Sequence, residues 1–377
     1  MNQTQCVVEG IDLSDVSLAI SNSFYVLVLL ALVSSLCALF TVVTNSVVFV
    51  AAIKSCRDHN SHGHAHITRM LMASMTLSDA MIGLWVWPMS VMEIVNNGKW
   101  VMGMSLCTAR LALNNLFCAV SIYHICFMAI DRYIAICQPL KYRMFTTRVG
   151  YLMVVLSWVV PTATTLLPSI NDWHHHGVEQ LVRCFHDKHI CSTMFNAEAL
   201  ITIFSLACYL PFTVTYTLYC LILWEVRKFN QRQKTFTKYE IRGRRKNSGK
   251  HSVFCQTTVS TVCSGGRVDN ADEDRTQTSA GEDIDAVDSG SKPASTNTKN
   301  MKAYLNIGSV VLCFTVCWTP VWCLVMVFHF SSLQLPIWLL TLVNFLTYMN
   351  SAVNPLLYCG NPSVRKSLKS LMCHSSL

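Results

Sequence analysis

The chain has 377 residues, of which 52% are hydrophobic and only 13% charged, about half the charged share of an ordinary soluble domain. No charge falls between Asp15 and Lys54, between Arg148 and Asp172, between Glu198 and Glu225, or from Ala303 through Val364, and a bilayer core needs about 20 apolar residues per span. This excludes a soluble globular protein. The net charge of +8 is not a nucleic-acid signal, because it gathers in the loops on one side of the membrane.

The gaps and their flanks predict seven spans, at roughly 24–53, 67–94, 104–130, 149–170, 196–224, 303–330 and 335–359, each of membrane length. The charge-free stretch from Ala303 holds two of them, with Ser331, Ser332 and Pro336 marking the turn. The expected organisation is an extracellular segment 1–23, a bundle over 24–359 that includes a disordered loop at about 229–300, and a tail over 360–377. The first span is not read as a signal peptide, because its leader carries Glu9, Asp12 and Asp15 and no Lys or Arg. Of 29 Lys and Arg, only Lys99, Arg110, Arg183 and Lys188 fall on the amino-terminal side, leaving 29 − 4 = 25 for the other. The amino terminus is therefore expected outside and the carboxyl terminus in the cytosol. Asn2, in the sequon Asn2-Gln3-Thr4, is a candidate glycosylation site.

Span one carries Asn45, suited to a helix-to-helix hydrogen bond, and span two carries Asp79, an acid at mid-membrane depth that needs a partner or an ion. The linker between them holds His59, His62, His64 and His66, whose reading as solvated loop polarity outweighs metal binding. Span three runs from Cys107 to Asp131-Arg132-Tyr133, a charge pair at the end of a membrane-length helix. Such a pair marks function. Arg132 lies 18 residues after Asn114, so the two share one helical face about 27 Å apart.

Of 18 cysteines, Cys6, Cys107, Cys184 and Cys191 are expected on the oxidising side, where three pairings are open. The loop between spans four and five adds His174, His175, His176, His186 and His189, again more simply solvated than metal-binding. Pro161 and Pro168 of span four, Pro211 of span five, Pro320 of span six and Pro355 of span seven predict kinks. The long loop opens with a basic stretch that extends span five as an amphipathic helix, then turns rich in Ser, Thr, Gly and Asp from about residue 247. Ser248, after Arg244-Arg245-Lys246, is a candidate phosphosite. After span seven, Gly360 stops the helix, and Pro362 opens a short amphipathic helix with Val364, Leu368, Leu371 and Met372 facing the membrane. Cys373 beside it is a candidate palmitoylation site.

These residues resemble a rhodopsin-like G-protein-coupled receptor over nearly the whole length. The resemblance rests on Asn45; Leu77-Ser78-Asp79; Trp100 with Cys107; Asp131-Arg132-Tyr133; Trp158; Pro211 with Tyr219; Phe314, Cys317, Trp318 and Pro320; and Asn354-Pro355-Leu356-Leu357-Tyr358. The stretch SIYHICFMAIDRYIAICQPLKY further resembles serotonin and trace-amine receptors. The implied fold is an all-α seven-helix membrane bundle in the plasma membrane. The implied function is activation of a heterotrimeric G protein by an extracellular small molecule, with receptor kinases, arrestin and membrane lipids as further partners and no catalysis.

The resemblance also assigns roles. It pairs Cys107 with Cys191, leaving Cys184 for Cys6 or a free thiol. Arg132 is the residue released on activation, supported by Tyr219 and Tyr358; Ile122, Pro211 and Phe314 connect it to the pocket floor at Trp318. Asp79, Ser121, Asn350, Ser351 and Asn354 reproduce a sodium site. The acid that usually locks the arginine is Asn300 here, which implies raised basal activity. The expected pocket is Asn114, Cys118, Phe204, Trp318, Trp322, Asn344 and Tyr348, although Cys118 and Trp322 equally fit simple packing. Asn114 stands where amine receptors place an aspartate, Ile203, Phe204 and Ala207 offer no hydroxyl, and Glu93 or Glu198 could serve as a relocated counterion. A same-fold receptor for a neutral odorant or lipid metabolite, or a constitutively active one, remains the alternative. A transporter or channel would need internal repeats, and the chain has none.

Overall fold

The structure, a computed structural model, describes residues 7–8, 11–12, 20, 23–57, 64–142, 147–171, 173–191, 195–257, 308–309, 311–324, 326–327, 337–358 and 362–374. Asn2, Cys6, His59, His62, Asn300, Ser331, Ser332, Pro336, Gly360 and Asn361 lie outside them. A hairpin of two-residue strands, β1 (Val7–Val8) and β2 (Ile11–Asp12), precedes the first helix. Everything else regular among the described residues is helical. Inside a bilayer a helix satisfies its own backbone, which an isolated strand cannot do.

Five helices are long and apolar enough to cross a membrane: Phe24–Arg57, His66–Val95, Met104–Cys137, Thr147–Pro168 and Ala197–Thr235. The elements that make them up are α1 (Phe24–Arg57), α2 (His64–Met81) continuing into α3 (Trp87–Val95), α4 (Met104–Cys137), the short α5 (Pro139–Tyr142) and α6 (Thr147–Ile170). Then follow α7 (Glu179–Asp187) in the loop, and α8 (Ala197–Phe204) continuing into α9 (Leu210–Thr257). The apolar helices α10 (Val311–Leu324) and α11 (Ile337–Tyr358) fall where the sixth and seventh spans are expected. The tail forms α12 (Pro362–His374), tied to α1 where Lys54 Nζ donates to Ser370 Oγ at 3.1 Å.

Side-chain size decides which face turns inward. On α1 the buried stripe is Ser34, Ala38, Thr41, Asn45, Val48, Ala52 and Ser55, while Leu29, Leu32, Leu36 and Leu39 are exposed. Small residues let helix backbones approach where lipid offers no hydrophobic drive between helices. The interior is filled by Leu71, Met75, Ile82, Trp87, Ile122 and Phe314, all fully buried.

Two π-turns interrupt the spans, Ile82–Val86 before α3 and Ser205–Tyr209 before α9. In each the closing N–H reaches back five residues, Trp87 to the carbonyl of Ile82 and Leu210 to that of Ser205. A proline follows directly in both cases, Pro88 and Pro211. Its missing N–H and its ring weaken the regular α-helical ladder at that point, which a π-turn accommodates.

Residues from Leu223 to Lys299 separate as a unit of their own. Within it, the helix that the basic stretch extends continues through Thr257. The stretch from Arg227 to Lys246 is rich in Lys and Arg, straight-chain residues that lose little rotamer freedom in a helix.

Candidate functional site

At the far end of α4 the chemistry centres on Asp131, whose side chain is fully buried. Oδ2 accepts from Thr68 Oγ1 at 2.8 Å and from Arg132 Nη2 and Nε at 2.7 and 3.1 Å, and Oδ1 accepts from Tyr142 Oη at 2.8 Å. Arg132 Nη2 also donates to Thr68 Oγ1. Burial and the neighbouring carboxylate push the Tyr142 phenol up, so it stays protonated and donates. Arg132 is thus held by its own neighbour, by α2 and by α5. Nothing in the sequence singles out Thr68 or Tyr142, because pairing across elements leaves no periodic trace. Tyr133 is half-buried beside them.

Tyr358 of α11 is buried and donates to Met75 Sδ at 2.8 Å rather than to Arg132. Tyr219 of α9 packs against the backbone at Gly308, where an added Cβ would collide with the phenol. Ile122, Pro211 and Phe314 are buried along the route toward Trp318. Pro355 is buried inside α11.

A second polar cluster lies halfway along the bundle. Asp79 Oδ1 accepts from Ser351 Oγ at 2.8 Å and Ser121 Oγ at 3.0 Å, and Oδ2 accepts from Asn354 Nδ2 at 2.9 Å. Ser78 and Ser121 share a further hydrogen bond, and Asn45 Nδ2 donates to the Ser351 carbonyl. Asn45, Asn350 and Asn354 are buried, and among the described residues their Oδ1 atoms have no hydrogen-bond partner. One buried carboxylate ringed by neutral oxygens, several of them unpartnered, is a donor set that suits a hard monovalent cation.

The near end of α4 is braced by the Cys107–Cys191 disulfide, with Cα atoms 5.6 Å apart. Gly103 starts α4 with a positive φ of 82°, and its carbonyl accepts from Trp100 Nε1 at 2.7 Å. Cys184 is also disulfide-bonded, which removes the free-thiol alternative. Asn196 caps α8 by accepting from Ala199 N–H at 2.7 Å, while its amide donates to the carbonyls of Trp173 and His176. His174 is buried against Pro168 and Phe195. Among the described residues no three His, Cys, Asp or Glu side chains form a metal cluster.

Along α4, Asn114 is half-buried and its Oδ1 accepts weakly from Cys118 Sγ at 3.7 Å. Trp318 and Trp322 form an aromatic cluster with Phe314, Phe212 and Tyr209, the Phe212 and Trp322 rings meeting edge to face at 5.0 Å. Both indole N–H groups are buried without a partner among the described residues. Phe204 turns its ring to Phe195 at 6.2 Å, and Tyr348 packs on Trp87 at 5.5 Å. Asn344 is exposed on α11. Glu93 is not a free counterion either, because Arg110 Nη1 binds its Oε2 at 2.8 Å. Glu198 is exposed.

Residues 44–358 match the family described as 7 transmembrane receptor (rhodopsin family). The chain belongs to this family. Similar proteins include the mouse 5-hydroxytryptamine receptor 1F, 27% identical over 356 residues, which covers 92% of this chain and 93% of that one. The guinea pig 5-hydroxytryptamine receptor 4 is 28% identical over 348 residues, covering 89% and 77%. The rat trace amine-associated receptor 8b is 24% identical over 347 residues, covering 92% and 86%. The protein is therefore a multi-pass plasma-membrane receptor that couples to a G protein and binds an extracellular ligand. It is not an enzyme.

Proposed function

We propose that this rhodopsin-family receptor, with its amino terminus outside and its carboxyl terminus in the cytosol, senses a small molecule at Asn114 and answers by releasing Arg132 to the G protein. What carries the reading is one helix, α4, with a half-buried Asn114 near one end and Arg132 held by Asp131, Thr68 and Tyr142 near the other. A ligand shifts such an equilibrium only by its differential affinity for the held and released states. The charge asymmetry of the loops supports the orientation.

Cys118, Phe204, Trp318, Trp322, Asn344 and Tyr348 complete the proposed pocket, and Ile122, Pro211, Phe314, Pro355, Tyr219 and Tyr358 the switch. Asp79, Ser121, Asn350, Ser351 and Asn354 would hold a sodium ion that stabilises the held state. A cation there would relieve the cost of a buried carboxylate. Receptor kinases and arrestin act on the exposed cytosolic side, lipid lies under α12 with Cys373 palmitoylated, and Asn2 carries a glycan.

The relatives are named for serotonin and for trace amines, but Asn114 supplies no charge for an ammonium. A charge pair at about 4 Å with partial screening contributes up to ~4 kcal/mol, and ~1.4 kcal/mol is tenfold in affinity. Its loss therefore costs ~10²–10³. The ligand is accordingly one that does not depend on an aspartate in this place. The buried, hydroxyl-free Ile203 and Ala207 favour a second reading with a neutral ligand.

The test is second-messenger output in transfected cells, with and without biogenic amines, for the parent, Asn114→Asp and Arg132→Ala. Amine responses are expected only in the aspartate variant. Strong amine responses in the parent would sink this pocket reading. Arg132→Ala is expected to silence every output the parent gives, and unchanged signalling would refute the switch.

A further inference from the structure

The switch and the cation cluster leave one buried charge pair without a role. Arg110 of α4 donates through Nη1 to Glu93 Oε2 of α3 at 2.8 Å and through Nη2 to Ser90 Oγ at 3.1 Å. Its guanidinium carbon sits 5.3 Å from the centroid of the Trp100 ring, and the Tyr348 phenol of α11 interacts with it. The Arg110 side chain is only 8% exposed, that of Glu93 22%, and the Arg110 Nε is buried with no partner among the described residues. Arg110 stands four residues before Asn114, which puts it on the same helical face about 6 Å further along.

Packing alone is a poor account of this pair. Well-packed apolar residues of similar volume commonly stabilise as much as a buried ion pair or more, and an ionisable side chain within a membrane helix marks function by default. The charge count then decides the ligand. Asn114 is neutral, Glu198 is exposed, and Glu93 with Arg110 sums to zero. A simple amine entering here would set a second cation beside Glu93, and a simple acid would set a second anion beside Arg110. A molecule that carries both charges gives each member of the pair a new partner, so no charge is left uncompensated. Arg110 still has its unpaired Nε donor, and the partly exposed Glu93 has its second carboxylate oxygen.

We propose that Glu93 and Arg110 form the head-group subsite for a zwitterion of the amino-acid class, with the carboxylate on Arg110 and the ammonium on Glu93. The rest of the ligand extends to Asn114. The proposal rests on the pocket reading above and names its substrate class.

The experiment uses the full-length receptor in cells and matched triples: an amino acid, its decarboxylated amine and its N-acetyl acid. Phenylalanine, tryptophan and β-alanine each head one triple, and surface amounts are matched by immunodetection. In the parent, at least one zwitterion is expected to activate at about one-tenth the concentration its two singly charged analogues need. Glu93→Gln leaves the site cationic and moves the preference to the N-acetyl acid, and Arg110→Gln moves it to the amine. Each costs the zwitterion roughly 100-fold, the order for removing one member of a buried charge contact. A single variant that fails to reach the surface is replaced by the reciprocal Glu93→Arg with Arg110→Glu, which keeps a neutral pair and the zwitterion preference.

The proposal is overturned if the amine is the most potent member in the parent, if no triple acts, or if both variants weaken all three members equally. That last outcome would make the pair purely structural. If the triples fail while Arg132→Ala still silences basal output, the G-protein switch stands and only the zwitterion site falls.

Discussion

Thr68→Val probes the hold on Arg132 with little change of shape. Thr68 is buried, and its hydroxyl both donates to Asp131 Oδ2 at 2.8 Å and accepts from Arg132 Nη2. Valine keeps the branched outline and removes both hydrogen bonds. A hydrogen bond to a charged group contributes about 1.5–3 kcal/mol, so losing one in the held state alone shifts the held-to-released ratio by roughly 10–100-fold. A receptor released about 1% of the time would rise to between about 10% and 50%. Tyr142→Phe removes the remaining outside donor to Asp131, at 2.8 Å, and leaves only the contacts Arg132 makes with its own neighbour at 2.7 and 3.1 Å. The assay is ligand-free second-messenger output at matched surface amounts, and the expected order is parent, then either single variant, then the double variant near the maximal response. If both single variants and the double signal at the parent level while Arg132→Ala abolishes signalling, these hydrogen bonds do not limit release and the reasoning fails.

Two further predictions test other parts of the bundle. Asp79→Asn is expected to abolish the suppression of basal output by sodium, measured by replacing sodium with a bulky organic cation, because the buried carboxylate that three donors surround would be gone; suppression that survives the substitution would place the ion elsewhere. Gly83→Val is expected to destabilise the protein by about 1–3 kcal/mol, the usual cost of overpacking, because a Cβ at Gly83 would stand 2.8 Å from Val42 Cγ2 and 3.2 Å from Thr41. A thermal midpoint in detergent equal to the parent's would contradict that packing.

The spans were legible because a bilayer writes its requirement into composition: a chain that folds in water rarely carries a charge-free apolar run of about 20 residues. Asp79 was legible for the same reason, since a lone acid at that depth needs a partner or an ion, while its partners Ser121, Ser351 and Asn354 came from the family resemblance alone. Features that depend on contact between elements left a fainter trace. Thr68 and Tyr142 are ordinary residues at ordinary positions, and only the arrangement of α2, α4 and α5 brings them onto Asp131. Of the two π-turns, only the one before Pro211 coincides with a kink read from the sequence, and Pro161, Pro168 and Pro355 carry the same signal inside α-helices that run on unbroken. Each π-turn inserts one residue into the helical count, so the face presented beyond it differs from that of a regular helix.

Glu93 shows most clearly why charges on a sequence are not yet charges in a site. Taken alone it is an acid near the end of a span, free to meet an ammonium. In the folded chain Arg110 reaches it from the next helix at 2.8 Å, and Ser90 and Trp100 hold the guanidinium in place. The relevant quantity is then the net charge of the pair together with Asn114, which is zero, rather than the presence of any one carboxylate. An amine receptor presents a net negative site and can select a cation by Coulomb attraction alone. A neutral site built from a buried pair cannot select by net charge; it selects by the spacing of opposite charges within the ligand. That difference follows from residues 93, 110 and 114 acting together, and it is why exchanging any one of them is expected to change which ligand is preferred as well as how tightly it binds.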